Sequence, residues 1–309
     1  MIPGRNCPPD YRYDASIFRE HASTATETLY VVGGLYGNEP ALDEVIRMFE
    51  RERGAKHLVF NGDFNWFNIA PERFRRINEL VLAYDAVRGN VETELARPVG
   101  STEIGCGCGY PDFVDDDVVD RSNAIMERLR TSAILFPELQ RDLAQLPMWR
   151  RIDVGGARVA VIHGDPSSLA GWGLGIEALS EAVGVDRAAR WFDEADIDIF
   201  ACTHTVCRCF AASAPVSSRT TGPPACRISQ PRVTVSSHAL QSVHPHMRRR
   251  CTGSKSKASR WKRLQLPTTT TAFSLISTHS GPREALLRLR IAGASSTGRT
   301  MNCSRQRFP

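Results

Sequence analysis

The sequence predicts an α/β fold built on a mostly parallel sheet, and three observations carry that prediction. From Thr28 onward, short apolar runs rich in β-branched residues alternate with stretches of helical spacing. Strand, helix, strand, helix, strand is the rhythm of βαβ units. Five of the strand-like runs also end in polar turns bearing Gly, Asn, Asp, His or Cys, and ligands gather at the carboxyl ends of strands in open α/β sheets.

Taken in order, Thr28–Gly33 (TLYVVG) is a short apolar run closed by glycine and reads as a buried strand. Glu39–Arg51 follows with Leu42, Val45, Ile46 and Phe49 at helical spacing. His57–Asn61 is a second strand, and Pro71–Leu82 is a helix with proline in its first turn, where a missing N–H costs nothing. Asp85–Arg88 is a third strand. Residues 93–117 read as a loop-rich insertion carrying Cys106, Cys108 and the acids Asp115–Asp117. Cys106-x-Cys108 is spaced more tightly than the usual metal-binding pair, so it reads as part of a glycine-rich loop. Asp120–Leu129 and Pro137–Leu146 read as helices. Trp149–Val154 and Arg158–His163 flank Gly155-Gly156-Ala157, a hairpin signal. Helices at Gly175–Ala182 and Ala188–Glu194 lead to a last strand, Asp196–Ala201.

The chemistry belongs in the turns. They are Gly33-Gly34-Leu35-Tyr36-Gly37-Asn38, Asn61-Gly62-Asp63-Phe64-Asn65, Arg88-Gly89-Asn90-Val91-Glu92, His163-Gly164-Asp165 and Cys202-Thr203-His204-Thr205. Asp, Asn, His and Cys converging there make the donor set of a transition metal. In order and spacing, over about residues 28–205, these turns resemble the calcineurin-like metallophosphoesterases. That family's pattern is Asp-x-His, Gly-Asp, Gly-Asn-His, a lone His and Gly-His-x-His, each after a strand. Gly37-Asn38 before a helix and His163-Gly164 resemble its bacterial branch of small phosphodiesterases and phosphatases.

The resemblance implies a sandwich of two β-sheets flanked by helices, holding two metal ions bridged by one Asp. Carried over, Asp63 matches the bridging carboxylate, Asn90 and His163 ligands of one metal, and His204 a ligand of the other. Gly34 and Tyr36 stand where the family has its opening Asp and His, and Val91 where it has a His that serves the leaving group. Cys202 replaces the first His of the closing pair, and a thiolate is a good zinc or iron ligand. The implied metal set is therefore Asp63, Asn90, His163, Cys202 and His204, holding one divalent transition metal (Zn, Mn or Fe) and no well-ligated second ion. No catalytic side chain is assigned. The implied activity is hydrolysis of a small phosphorylated substrate, a phosphomonoester or phosphodiester, impaired in this chain. A non-catalytic phosphate- or nucleotide-binding relative is the alternative.

Charge divides the chain near Thr205. Residues 1–205 carry 21 Lys and Arg against 33 acids, a net of −12, while residues 206–309 carry 18 against the single acid Glu284, a net of +17. The second part is rich in Ser, Thr, Pro and Arg and lacks Asp and Tyr, which predicts disorder with isolated helical turns near Glu284–Ile291. Read at face value it is a nucleic-acid-binding tail. Read one base earlier, the codons for Thr220–Ser229 permit Asn-Asn-Gly-Ala-Ala-Gly-Met-Pro-Asn-Phe, resembling the turn that follows the family's closing histidines. A frame slip near Thr205 would leave the fold incomplete at its C-terminal end. The first residues lack an apolar leader, no stretch reaches the length of a membrane span, and the nine cysteines follow no disulfide framework. A cytoplasmic protein with no membrane partner is the expectation.

Overall fold

Alternation of side chains along each strand sorts the molecule into layers. The computed structural model describes residues 2–20, 22, 24–98 and 104–205, with strand backbone at 211–212, 272–275 and 288–292. Its elements are β1 (Thr24–Thr26), β2 (Thr28–Val32), α1 (Glu39–Arg51), β3 (Lys56–Asn61), α2 (Pro71–Val81), β4 (Asp85–Val87), α3 (Asn90–Ala96), α4 (Asp116–Ala133) and α5 (Pro137–Gln145). They continue with β5 (Trp149–Val154), β6 (Ala157–Ile162), α6 (Ile176–Leu179), α7 (Ala182–Ala195), β7 (Ile199–Ala201), β8 (Ala211–Ala212), β9 (Ala272–Leu275) and β10 (Arg288–Ala292).

Two mixed sheets result, in the orders β4-β3-β2-β10-β9 and β1-β5-β6-β7-β8. The β2–β3 and β3–β4 pairs are parallel, and β5–β6 is the antiparallel hairpin expected from its glycine turn. Leu29, Val31, Val59 and Val87 of one sheet share an apolar layer with Ile152, Val154, Val159, Val161, Ile199 and Ala201 of the other. The alternate residues face outward. Tyr30, Val32, Leu58 and Phe60 pack under Leu42 and Val45 of α1, Phe74 and Ile77 of α2, and Met126 and Leu129 of α4. On the far side Ala160, Ile162 and Phe200 pack under Ala188 and Trp191 of α7 and under Phe18. The fold is α/β, with mixed sheets flanked by helices.

Three expectations change. Residues 90–96 are the helix α3 and not part of a loop: Glu92 accepts the Gly89 amide at 3.1 Å and closes a cap at its start. Strands do occur beyond Thr205, where the sequence predicts disorder with helical turns: β10 runs parallel to β2 and antiparallel to β9 in the first sheet, and β8 pairs with β7 in the second. Arg288–Ala292 is a strand and not a helical turn: Arg288, Leu289, Arg290 and Ile291 alternate basic and apolar, the two-residue period of a strand. The rest of the basic segment lies outside the described residues. Among the described residues, no helix is long and apolar enough to cross a membrane.

Candidate metal centre

The ends of β3, β4, β6 and β7 meet at one point because Asn61 ties the two sheets together there. Its side-chain amide donates to the Ile162 carbonyl at 2.8 Å and to that of Ala201 at 3.3 Å. The chain then turns through Gly62 (φ 73°) and Asp63 (φ 53°). A Cβ at Gly62 would lie 2.6 Å from the Gly89 nitrogen and from His163 Nδ1, so only glycine lets the two turns close on each other.

Asp63, His163 and His204 are all buried, and one ligand atom from each lies within 4.8 Å of the others. Asp63 Oδ2 is 3.2 Å from His163 Nε2, which is also 3.2 Å from Asn90 Oδ1 and 3.2 Å from His204 Nδ1. The outer nitrogens are committed elsewhere. His163 Nδ1 donates to the Asn61 carbonyl at 2.9 Å, and His204 Nε2 donates to the Cys108 carbonyl at 3.0 Å. Those two bonds fix the tautomers and turn one lone pair of each ring toward the carboxylate and the Asn90 carbonyl. Four acceptor atoms thus converge, and a single positive charge among them, a proton or a metal ion, satisfies the set.

Electrostatics follow this geometry. Burial pushes the Asp63 carboxyl up, yet the His163 and His204 rings and the Val91 amide at 3.1 Å outweigh it and hold Asp63 below its ordinary value. Burial pushes His163 down, but Asp63 and the Asn61 carbonyl leave it raised. Burial and the His163 charge push His204 down to about 4. Behind them Glu92 accepts the amides of Asp63 at 2.6 Å, Asn65 at 3.1 Å and Gly89 at 3.1 Å. Burial and the Asp63 charge push Glu92 up to about 7 against those amides.

Of the five residues expected as ligands, Asp63, Asn90, His163 and His204 come together and Cys202 does not join them. Cys202 packs with Ile162, Trp191 and Phe200 beneath α7. The cause is the strand period: Phe200 and Cys202 point to the helix side, while Thr203 turns inward and donates to the Asn61 carbonyl at 2.8 Å. At the turn after β2, the Tyr36 ring lies 3.8 Å from where a Gly34 Cβ would be, and Tyr36 meets the Phe67 ring at 6.0 Å. Burial and the Asp63 charge raise that phenol, so it stays neutral. Sequence reasoning missed Glu92 and Thr203 as supports, and the part played by the Cys106–Cys108 loop. Only Glu92 carried a signal, as an acid three residues after a possible cap glycine.

No protein-family model matches the chain, and no curated protein matches it. Among solved structures, it is similar to the hypothetical protein PH1004 from Pyrococcus horikoshii OT3, at 14% identity and a TM-score of 0.39, over 59% of this chain and 70% of that one.

Proposed function

We propose that this chain is a metal-dependent phosphoesterase-like protein that holds one divalent cation through Asp63, Asn90, His163 and His204 and acts on a small phosphorylated substrate. The observation that carries the reading is the convergence of four acceptor atoms whose histidine tautomers are fixed by bonds on their outer nitrogens. Two imidazoles, a carboxylate and an amide oxygen suit zinc, manganese or iron better than magnesium or calcium. The finer reading of the fold, a metallophosphoesterase-type sandwich, belongs to the same proposal and draws support from the shared apolar layer between the two sheets.

When bound, such an ion supplies Lewis acidity and a water of lowered pKa. The chain's own residues do the rest. Asp63, accepting the Val91 amide, presents a fixed carboxylate. The Asn61 and Cys108 carbonyls keep His163 and His204 turned inward. Glu92 fastens the Asp63 and Gly89 turns to the start of α3. Gly34 and the neutral Tyr36 phenol supply no ligand on the remaining side, which limits the site to one ion.

A second reading, phosphate or nucleotide binding without turnover, is favoured by Val91. Its side chain is buried and apolar where the resembling family places a proton-donating histidine. One experiment separates the two. The purified full chain is loaded with Zn²⁺ or Mn²⁺, its metal content is measured, and it is assayed on p-nitrophenyl phosphate and bis(p-nitrophenyl) phosphate. One ion per chain with slow metal-dependent hydrolysis is expected. Phosphate binding with no hydrolysis supports the second reading, and no retained ion overturns the first.

A further inference from the structure

One loop aims two of the four converging side chains. Asn90 Nδ2 donates to the Cys106 carbonyl at 2.9 Å, and His204 Nε2 donates to the Cys108 carbonyl at 3.0 Å. The Cys108 carbonyl also accepts the Trp172 indole N–H at 3.0 Å, and Trp172 meets the His204 ring at 5.3 Å. Within the loop, Gly105, Gly107 and Gly109 all take positive φ, at 70°, 66° and 58°. A Cβ at Gly107 would lie 2.4 Å from the Tyr11 hydroxyl, and one at Gly105 would lie 2.2 Å from Asn123 Oδ1. The glycines let the backbone pack closely on Tyr11 and Asn123, next to the site. The same path brings the buried Cys106 and Cys108 together as a disulfide. A ring of three residues has little conformational freedom, so the bond holds the Cys106 carbonyl, which is part of the ring, where Asn90 needs it, and fixes the Cα from which the Cys108 carbonyl reaches His204.

We infer that Cys106 and Cys108 form a thiol–disulfide modification site that sets the metal affinity of the adjoining cluster. The inference rests on reading Asp63, Asn90, His163 and His204 as a metal site. Paired, the cysteines act as positioning residues, their carbonyls fixing the Asn90 amide and the His204 tautomer. Reduced, the loop loses its cross-link and those two acceptors loosen. The exchange partner is a small thiol: two such thiols give up their protons to the Cys106 and Cys108 sulfurs as the S–S bond breaks, and they leave as their own disulfide. Oxidation runs the same exchange backwards with a small disulfide. Cys7 also neighbours the loop, its Cβ 3.6 Å from where a Gly109 Cβ would be and its thiol 3.0 Å from Ser168 Oγ, so the comparison is made in a Cys7→Ser background.

The test measures Zn²⁺ affinity of the full chain by competition with a chromophoric chelator. It compares the chain oxidised by a small disulfide with the chain reduced by a water-soluble phosphine, and mass spectrometry counts the thiols. Reduction is expected to weaken binding by about 10–100-fold, the usual cost of losing outer hydrogen-bond partners of metal ligands. The Cys106→Ser/Cys108→Ser variant should match the reduced chain and no longer respond to oxidant. Equal affinity in the two states, a variant that still responds, or cysteines that never pair under oxidant overturns the inference and leaves the metal reading intact. Absence of binding in either state overturns both. Co²⁺ spectra supply an independent readout: a thiolate-to-cobalt charge-transfer band that appears on reduction and is lost in the Cys106→Ser/Cys108→Ser variant would make the two cysteines ligands, and would also overturn the inference.

Discussion

The turns after β2 and β3 are built alike and carry different chemistry. Both leave parallel neighbouring strands through left-handed backbone: Gly34 at 64° and Tyr36 at 50° in one, Gly62 at 73° and Asp63 at 53° in the other. Both also press closely on neighbouring turns. A Cβ at Gly33 would lie 2.2 Å from Thr203 Cγ2, and one at Gly62 would meet Gly89 and His163. Yet the β3 turn presents a carboxylate to two imidazoles, and the β2 turn presents a neutral phenol that meets Phe67 edge-to-face. The backbone brings a side chain to the end of each strand, and the chemistry of that side chain decides whether it could serve a cation.

The hardest test of that contrast removes Asp63. Asp63→Ala leaves two imidazole lone pairs facing each other with no anion and strips the Val91 amide of its acceptor. Metal affinity should fall by more than the ~100-fold that loss of an outer hydrogen-bond partner costs, as read by retained ion after dialysis. An Asp63→Ala chain that keeps its metal would place the site elsewhere.

The backbone half of the contrast is tested at Gly89. A methyl group there would lie 2.3 Å from Asp63 Oδ1 and 3.0 Å from His163 Cε1. Neither atom is free to move, so Gly89→Ala should lose about 1–3 kcal/mol of stability, visible as a lower midpoint in urea. The exposed Gly156, with nothing within 4 Å of its would-be Cβ, meets no such crowding. A Gly156→Ala variant isolates the cost of its φ of 90° alone. Gly89 sits at an extended φ of −93°, so the absence of any loss at that site would show that crowding around Asp63 contributes nothing.

Acid supplies the next test. His163 is raised above the ordinary 6.5 and must release its inward proton to bind a cation, whereas His204, pushed down to about 4, is already neutral. Affinity should therefore be full above the raised His163 value and fall as pH drops through it, by about tenfold per unit for one displaced proton. Two protons per ion would mean that His204 titrates as well, and a flat profile from pH 8 to 5 would remove His163 from the ligand set.

The turn pattern was legible because each apolar run is short and each is punctuated by glycine and one chemically distinctive residue. Asp63, Asn90, His163 and His204 could be named once that pattern was set beside the family it resembles. Cys202 could not be placed the same way, because its neighbour Thr203 is equally polar and only the strand's two-residue alternation, seen against Phe200 and Ala201, tells which of them faces inward. The helix α3 hid because its seven residues, NVETELA, are too short for a periodic signal. The basic and apolar alternation at Arg288–Ala292 was overshadowed by the charge of its surroundings. Glu92 and the Cys106–Cys108 loop act through backbone groups, and a backbone carbonyl leaves no mark in a sequence.

The smallest effect is expected on the β2 side, and it decides whether that turn is silent. Tyr36 is half-buried, its ring packs on Phe67 and over Gly34, and burial keeps its hydroxyl protonated near Asp63. A neutral phenol is a weak ligand, so deleting only the oxygen should remove packing from neither neighbour and charge from nothing. Tyr36→Phe is predicted to change Zn²⁺ affinity by less than about threefold, under 1 kcal/mol, a change typical of sites whose partners stay satisfied. Calorimetric titration of the two proteins side by side checks it. A tenfold loss would mean that the hydroxyl reaches the ion, and the two turns would then differ in strength of ligation and not in its presence. A tenfold gain would mean that the phenol holds a proton or water the ion must displace. Either result would replace the claim that the β2 turn contributes shape alone.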